Sequence, residues 1–261
     1  MSELNKTDWK AFLKAYPDAH LLQTAEWGEL KEGFGWRARR VVVEDSGAQV
    51  LFRQLPLGFT IGYLPKGPVG ENWQALWPAL DRLCREQRAV FLKIEPDQWQ
   101  VDSQGPIQLP PEFVLSEHTV QPPRTIVVPI SGEEDEILGR MKQKTRYNIR
   151  LAGRKDVQVV PSEDLDTFQE LLEITSDRDQ FGVHSLAYYK TLYRLFKSED
   201  NCTLLTAYFE SEPLGAVMVF ARGHRAWYLH GASTNRHRNF MPNYLLQWEA
   251  IRWAILQGFK Y

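Results

Sequence analysis

The densest cluster of chemistry-bearing residues in the 261-residue sequence is RMKQKTRYNIRLAGRK, residues 140–155, with seven Lys or Arg and no acid. On a continuous helix Lys142, Arg146 and Arg150 fall four residues apart on one face, and Lys144 adds a further cation. Such a face is a platform for an anion spanning a few phosphates. It fits equally a solvated face beside the acidic run at 133–136. Lys31 follows Trp27 and precedes Gly33, Gly35 and Trp36. A loop there could bring its ammonium to a ligand, or the charge could simply complement a helix C-terminus. His184 stands before Tyr188 and Tyr189, and His230 closes the run Tyr228-Leu229-His230. None of the six histidines pairs with another at metal spacing, and a lone His is ordinarily structural or on the surface. Cys84 and Cys202 stand far apart without a CxxC, so both are read as reduced core thiols, and neither a metal nor a cofactor is expected.

These groups need a scaffold, and the sequence describes one. Hydrophobic residues make up 43% and charged residues 25%, the composition of a folded globular chain, and the net charge of −2 excludes a global basic field for nucleic acid or membrane. A polar N-terminus and the lack of a long apolar run predict a soluble, cytoplasmic protein without signal peptide or membrane span. Apolar spacing predicts helices over 7–16 and from Thr24, as cap, to about Glu32. Strands are expected at 39–44, 48–55 and 59–64, the first two joined by a turn at Asp45-Ser46-Gly47. A helix at 72–87 containing Pro78 and a buried strand AVFLKIEP follow. The second half repeats the order: a basic helix over 133–153, a short strand at 157–160, helices at 165–177 and 185–197, strands at 203–210, 214–221 and 225–230, and a helix at 244–256. Gly258 is a helix C-cap, and residues 259–261 read as the first of another strand.

Two helices, an antiparallel meander and a helix crossover to a further strand form the α+β plan of GCN5-related N-acyltransferases (GNAT). The sequence therefore predicts two such domains in tandem, 1–140 and 141–261, joined through the Pro-rich stretch 106–129, of which 124–130 could itself be a strand. Acetyl-CoA enzymes of this plan hold the pyrophosphate with a Q/R-x-x-G-x-G/A turn at a helix start. Neither half has it, since PKGPVG and GASTNRHRNF lack the spacing, and a CoA donor is disfavoured. No Walker loop, Rossmann fingerprint, GxSxG elbow or HExxH is present.

QTAEWGELKEGFGW, YLPKGPV, FLKIEPD, the stretch from QPPRTIVVPI into MKQKTRYNIRLAG, SDRDQFGVHSLAYY, and WYLHGAS with MPNYLLQWEAIRWA occur in this order over nearly the whole chain. Together they resemble the FemABX family, the aminoacyl-tRNA-dependent transferases that build peptidoglycan interpeptide bridges. The resemblance implies tandem acyltransferase-like domains and aminoacyl-tRNA in place of acetyl-CoA. Its acceptor would be the stem-peptide amine of a muropeptide precursor, either UDP-MurNAc-pentapeptide or the lipid-linked form, met near the membrane surface without a transmembrane segment.

In the family a Lys after the Q-x-x-x-W signature clamps the precursor's diphosphate, and Lys31 holds that place. A second-domain Arg and a Tyr four residues on complete the clamp; here they are His184, a departure, and Tyr188, a match. His230 replaces a Tyr that lines the acceptor site, and Tyr244 is grouped with these substrate-binding positions. Lys142, Lys144, Arg146 and Arg150 are the expected contacts to tRNA or precursor phosphate. Too few residues separate Asp156 from Asp200 for the coiled-coil arm of some members, so the chain resembles the armless ones. It stops where relatives continue, so the expectation is a second domain incomplete at its C-terminal end, in a fragment of a longer protein. Two other readings compete, an acyl-CoA-dependent N-acyltransferase and a non-catalytic binder of RNA or muropeptide.

Overall fold

The computed structural model describes residues 2–99, 113–198 and 201–261. The chain divides into two compact units, Met1–Ile126 and Val127–Tyr261. The division precedes residue 140 because Ile130 and Ile137 pack with Ile149, Trp248 and Ala254 in a core of the second unit. Part of the Pro-rich connection, 106–112, lies outside the described residues. Its end, 124–130, is not a strand, although the Ile130 amide donates to the Lys260 carbonyl.

In the first unit a two-residue strand β1 (Ser2–Glu3), too short to leave a periodic signal in the residues, precedes α1 (Lys6–Leu13) and α2 (Ala25–Glu32). Asn5 caps α1, accepting from the Asp8 amide, and the Thr24 hydroxyl caps α2 by accepting from Trp27 N. Strands β2 (Trp36–Val43), β3 (Ser46–Gln54) and β4 (Thr60–Pro65) form the expected antiparallel meander, and β5 (Ala89–Glu95) joins β4 in parallel after α3 (Trp73–Glu86). The β2–β3 turn is at Glu44-Asp45, one residue early, because Ser46 already pairs with Val43. The sheet order is β1-β2-β3-β4-β5. One face, with Val41, Val50, Phe52 and Leu64, closes on Leu76, Leu80 and Leu83 of α3. Each fully buried side chain of this kind contributes about 1.5–3 kcal/mol. The strand β5 is not buried as its apolar run suggested: it is an edge strand, and Val90 and Phe91 are 62% and 53% exposed.

The second unit begins with α4 (Glu134–Arg140) and α5 (Gln143–Arg154), two helices where one continuous basic helix was expected. Met141 and Lys142 are extended (ψ 152° and 145°). On one straight helix Ile137 and Ile149 would point about 120° apart at 100° per residue. The break lets both reach the same core. Strand β6 (Val157–Ser162), helices α6 (Leu165–Asp179) and α7 (Leu186–Lys197), and strands β7 (Cys202–Phe209), β8 (Glu212–Arg222) and β9 (Arg225–Ser233) follow, then α8 (Pro242–Leu256). The four strands form an antiparallel sheet in the order β6-β7-β8-β9. Leu205, Ala207, Val217 and Val219 face Leu246 and Ala250 of α8. On the opposite face Phe220 meets Phe196 of α7 edge-on at 5.2 Å. Gly258 ends α8 with φ +83°, the left-handed backbone expected of a C-cap. Residues 259–261 are not a regular strand, yet they hydrogen-bond along the start of β9, Ala226 N donating to Tyr261 O and Lys260 N to His224 O.

Candidate functional site

In the first unit, the face of the sheet beneath α2 is built on amides. Gln23 is fully buried; its Nε2 donates to Pro65 O at 2.6 Å and Gln49 O at 3.3 Å, and its Oε1 accepts from Gln49 N at 2.9 Å. Gln49 Nε2 donates to Thr24 O at 2.7 Å, and its Oε1 accepts from the buried Arg40 Nε at 2.7 Å. These bonds tie the start of α2 to β3 and to the end of β4. Gly28 is where helix and sheet touch: a Cβ there would stand 2.4 Å from Gln49 Oε1 and 2.5 Å from an Arg40 nitrogen.

The direction of α2 then places Lys31. Gly28 lies over Arg40 and Gln49, and one turn later Glu32 accepts from Ala38 N at 3.2 Å. The helix therefore runs toward the Trp36 end of β2, where Trp36 pairs with Arg53 of β3. The Lys31 ammonium lies 5.0 Å from the centroid of the Trp27 ring, and Arg53 lies 5.7 Å from that of Trp36. Burial, with the nearby Arg53 guanidinium, holds the Lys31 pKa below the ordinary lysine value. Tyr63 continues the same face beside Trp36, with ring centroids 6.5 Å apart. Its hydroxyl donates to Glu95 at 2.6 Å and accepts from Gln121 Nε2 at 3.2 Å. Burial and the Glu95 carboxylate push the Tyr63 pKa well above the usual phenol range. The sequence points to Lys31 alone; Trp36, Arg53 and Tyr63 emerge only once strand register shows which alternate residues share a face.

In the second unit the structure brings three of the expected residues together. The rings of His184 and Tyr188 stack with centroids 3.9 Å apart, and Tyr189 meets His230 edge-on at 5.2 Å and Tyr188 at 5.6 Å. Tyr188 is 3% exposed, and burial raises its pKa far above the usual phenol value. Tyr189, not singled out from the sequence, is the ring that joins the two histidines. Tyr244 is not in this cluster: it lies in the first turn of α8, the helix packed on the other face of the sheet, and is 36% exposed. A hollow of about 280 Å³, lined by Thr167, Glu170, Glu212, Thr234 and Arg236 among others, is lined by none of the expected site residues.

The basic segment divides into two roles. Arg146 is turned inward, its guanidinium bonding the carbonyls of Met141 and Gly139 at the end of α4, so it satisfies a helix terminus. Lys142 is the N-cap residue rather than part of one helical stripe with Arg146 and Arg150. Lys144 and Arg150 are exposed, and with them Tyr147, 55% exposed, whose ring lies 5.6 Å from the Arg154 guanidinium. An exposed aromatic among cations is a surface on which a base can stack. Among the described residues no group of three or more His, Cys, Asp or Glu could hold a metal ion, and no helix is long and apolar enough to cross a membrane.

A sequence model of the FemAB family matches residues 4–107, and one described as an acetyltransferase (GNAT) domain matches 139–261. The lipid II:glycine glycyltransferase of Staphylococcus epidermidis is 26% identical over 344 aligned positions, covering 99% of this chain and 82% of that protein. The chain is similar to the FemABX family along nearly its whole length. Its fold is GNAT-like, and the protein is an acyltransferase. The Staphylococcus aureus lipid II:glycine glycyltransferase is 27% identical over 337 positions, 95% of this chain and 80% of the relative. Both alignments are longer than this chain, so these FemABX relatives carry inserted residues within the matched region. The crystal structure of FemX shares the fold with a TM-score of 0.83 at 24% identity, covering 100% of this chain and 87% of that one.

Proposed function

We propose that this FemABX-like protein moves an amino acid from aminoacyl-tRNA to the stem-peptide amine of a peptidoglycan precursor, in the cytoplasm and at the face of the membrane where a lipid-linked precursor is presented. The observation that carries this reading is the match of nearly the whole chain to proteins named lipid II:glycine glycyltransferase. Those names favour the lipid-linked precursor over UDP-MurNAc-pentapeptide. The reaction is aminolysis of a ribose ester. The acceptor amine, with an ordinary pKa near 10.4 if lysine-like, loses a proton and attacks the ester carbonyl, and the tetrahedral oxyanion collapses with the tRNA hydroxyl as leaving group. An ester is activated enough for positioning to supply much of the acceleration.

In this reading Lys31 takes the precursor's diphosphate, and its location between Trp27 and the Trp36–Arg53 pair supports an anionic ligand. His184, Tyr188 and His230 are assigned to the acceptor, whereas Tyr244, on the other face of the sheet, is not. Because Tyr188 is buried beneath His184, its contribution is to hold the imidazole ring. Lys142, Lys144 and Arg150 are assigned to the acceptor end of the tRNA, with Tyr147 as a stacking partner; Arg146 instead fixes the helix that presents them.

The test supplies the purified protein with radiolabelled aminoacyl-tRNAs, glycyl-tRNA first, and either lipid-linked precursor or UDP-MurNAc-pentapeptide. Label transferred to a precursor from charged tRNA supports the reading, and the accepting precursor identifies the substrate form. Label transferred only from acyl-CoA overturns it. Replacing Lys144 and Arg150 by Gln is expected to weaken tRNA binding and to flatten its dependence on log salt by about 0.7 for each phosphate no longer neutralised. An unchanged slope removes those residues from the RNA surface.

A further inference from the structure

We propose that Arg53 is a second cation of the diphosphate-binding site, acting beside Lys31 within the first unit. The inference rests on the reading of Lys31 as the diphosphate ligand and adds a residue to it. Three observations carry it. The course of α2 from Gly28, over Arg40 and Gln49, to Glu32 at Ala38 sets Lys31 at the Trp36 end of the sheet. Register places Arg53 directly opposite Trp36, on the same face of the sheet. The two cations each lie against an indole, Trp27 for Lys31 and Trp36 for Arg53, so the charges are steered by two flat apolar walls.

Burial foremost, and then the like charge of Arg53, disfavours the charged Lys31 ammonium. A diphosphate favours it, since its oxygens can accept from the ammonium as a point charge and from the guanidinium as a planar fork.

The test uses calorimetry, with quenching of the summed tryptophan emission, to which Trp27 and Trp36 contribute, as a second readout, for wild type, Lys31→Ala, Arg53→Gln and Arg53→Lys. The probes are inorganic pyrophosphate, UDP-MurNAc-pentapeptide and lipid-linked precursor in detergent micelles. Arg53 is exposed, so its variants are expected to keep the wild-type melting temperature. Arg53→Gln should weaken pyrophosphate and at least one precursor about tenfold or more, with Arg53→Lys in between, and the precursor that responds identifies the source of the diphosphate. Wild-type affinity of Arg53→Gln for pyrophosphate, alongside loss in Lys31→Ala, overturns the role of Arg53 and leaves that of Lys31. Failure of wild type to bind any of the three probes overturns both.

Discussion

The two units share the order strand, two helices, three-stranded meander and helix, and fill the matching sheet face differently. Beneath α2 the first unit buries Gln23, Gln49 and Arg40, whose bonds fix helix to strands before the face opens into Lys31, Trp36, Arg53 and Tyr63. Beneath α6 and α7 the second unit buries Leu204, Met218 and Phe220, and the face ends in the rings of Tyr188, Tyr189, His184 and His230. A hydrogen-bonded amide network fixes direction as well as distance, because each donor must meet its acceptor. An apolar cluster fixes volume and tolerates rotation. The first design suits a site that must hold two cations in a set geometry, the second a wall of rings.

That contrast can be broken by substitution. The largest loss is expected from Phe220→Ala, a fully buried ring in the second unit, at about 3–5 kcal/mol in denaturant unfolding. A cost below 1 kcal/mol would mean that this face collapses freely. Gln23→Ala comes next, at about 2–3 kcal/mol, because Gln49 N and Pro65 O are left buried and unsatisfied. It should also reduce pyrophosphate affinity by displacing α2 and Lys31, whereas Phe220→Ala, in the other unit, should not; equal pyrophosphate binding by the two variants would erase the distinction between the units.

Alkaline pH is expected to destabilise both units. Tyr63 and Tyr188 stay protonated in the fold well above the usual range, and Tyr193 is pushed up to about 12 by burial and Glu163. An unfolded tyrosine ionises near 10. The unfolded chain therefore binds fewer protons above that pH, and stability present below pH 10 falls as pH rises past it. Tyr188→Phe should lessen the fall in denaturant midpoint between pH 9 and 11, and an identical fall in that variant would remove Tyr188 as a contributor. The smallest effect is expected at the solvent-facing pair of Lys190 and Asp166, 2.9 Å apart, where Lys190→Ala should cost less than about 1 kcal/mol and less still in high salt.

Much of this was legible in the residues. Apolar spacing and caps such as Thr24 and Gly258 located the helices and strands of both halves, since the local period is a property of the chain itself. The Q-x-x-x-W segment pointed to Lys31 without revealing that its Gln23 holds strands together. Break points were less legible: Met141-Lys142 carries no proline to mark it, and the separation of α4 from α5 follows from the need of Ile137 and Ile149 for one core. That break also turned Arg146 from an expected ligand into a cap for the carbonyls of α4.

The sequence by itself determined the α+β order, the repeat of that order, the family likeness and the presence of a cationic segment, because periodicity, capping and motif spacing are local. Only the tertiary structure decided which residues share a face. Arg53 stands opposite Trp36 through β2–β3 register, Lys31 reaches that end through the direction of α2, and Tyr189 links His184 to His230 through packing of a helix on a strand. A strand shifted by one residue would send every side chain to the other face, so such neighbours are fixed by pairing across the chain and by no local pattern within it.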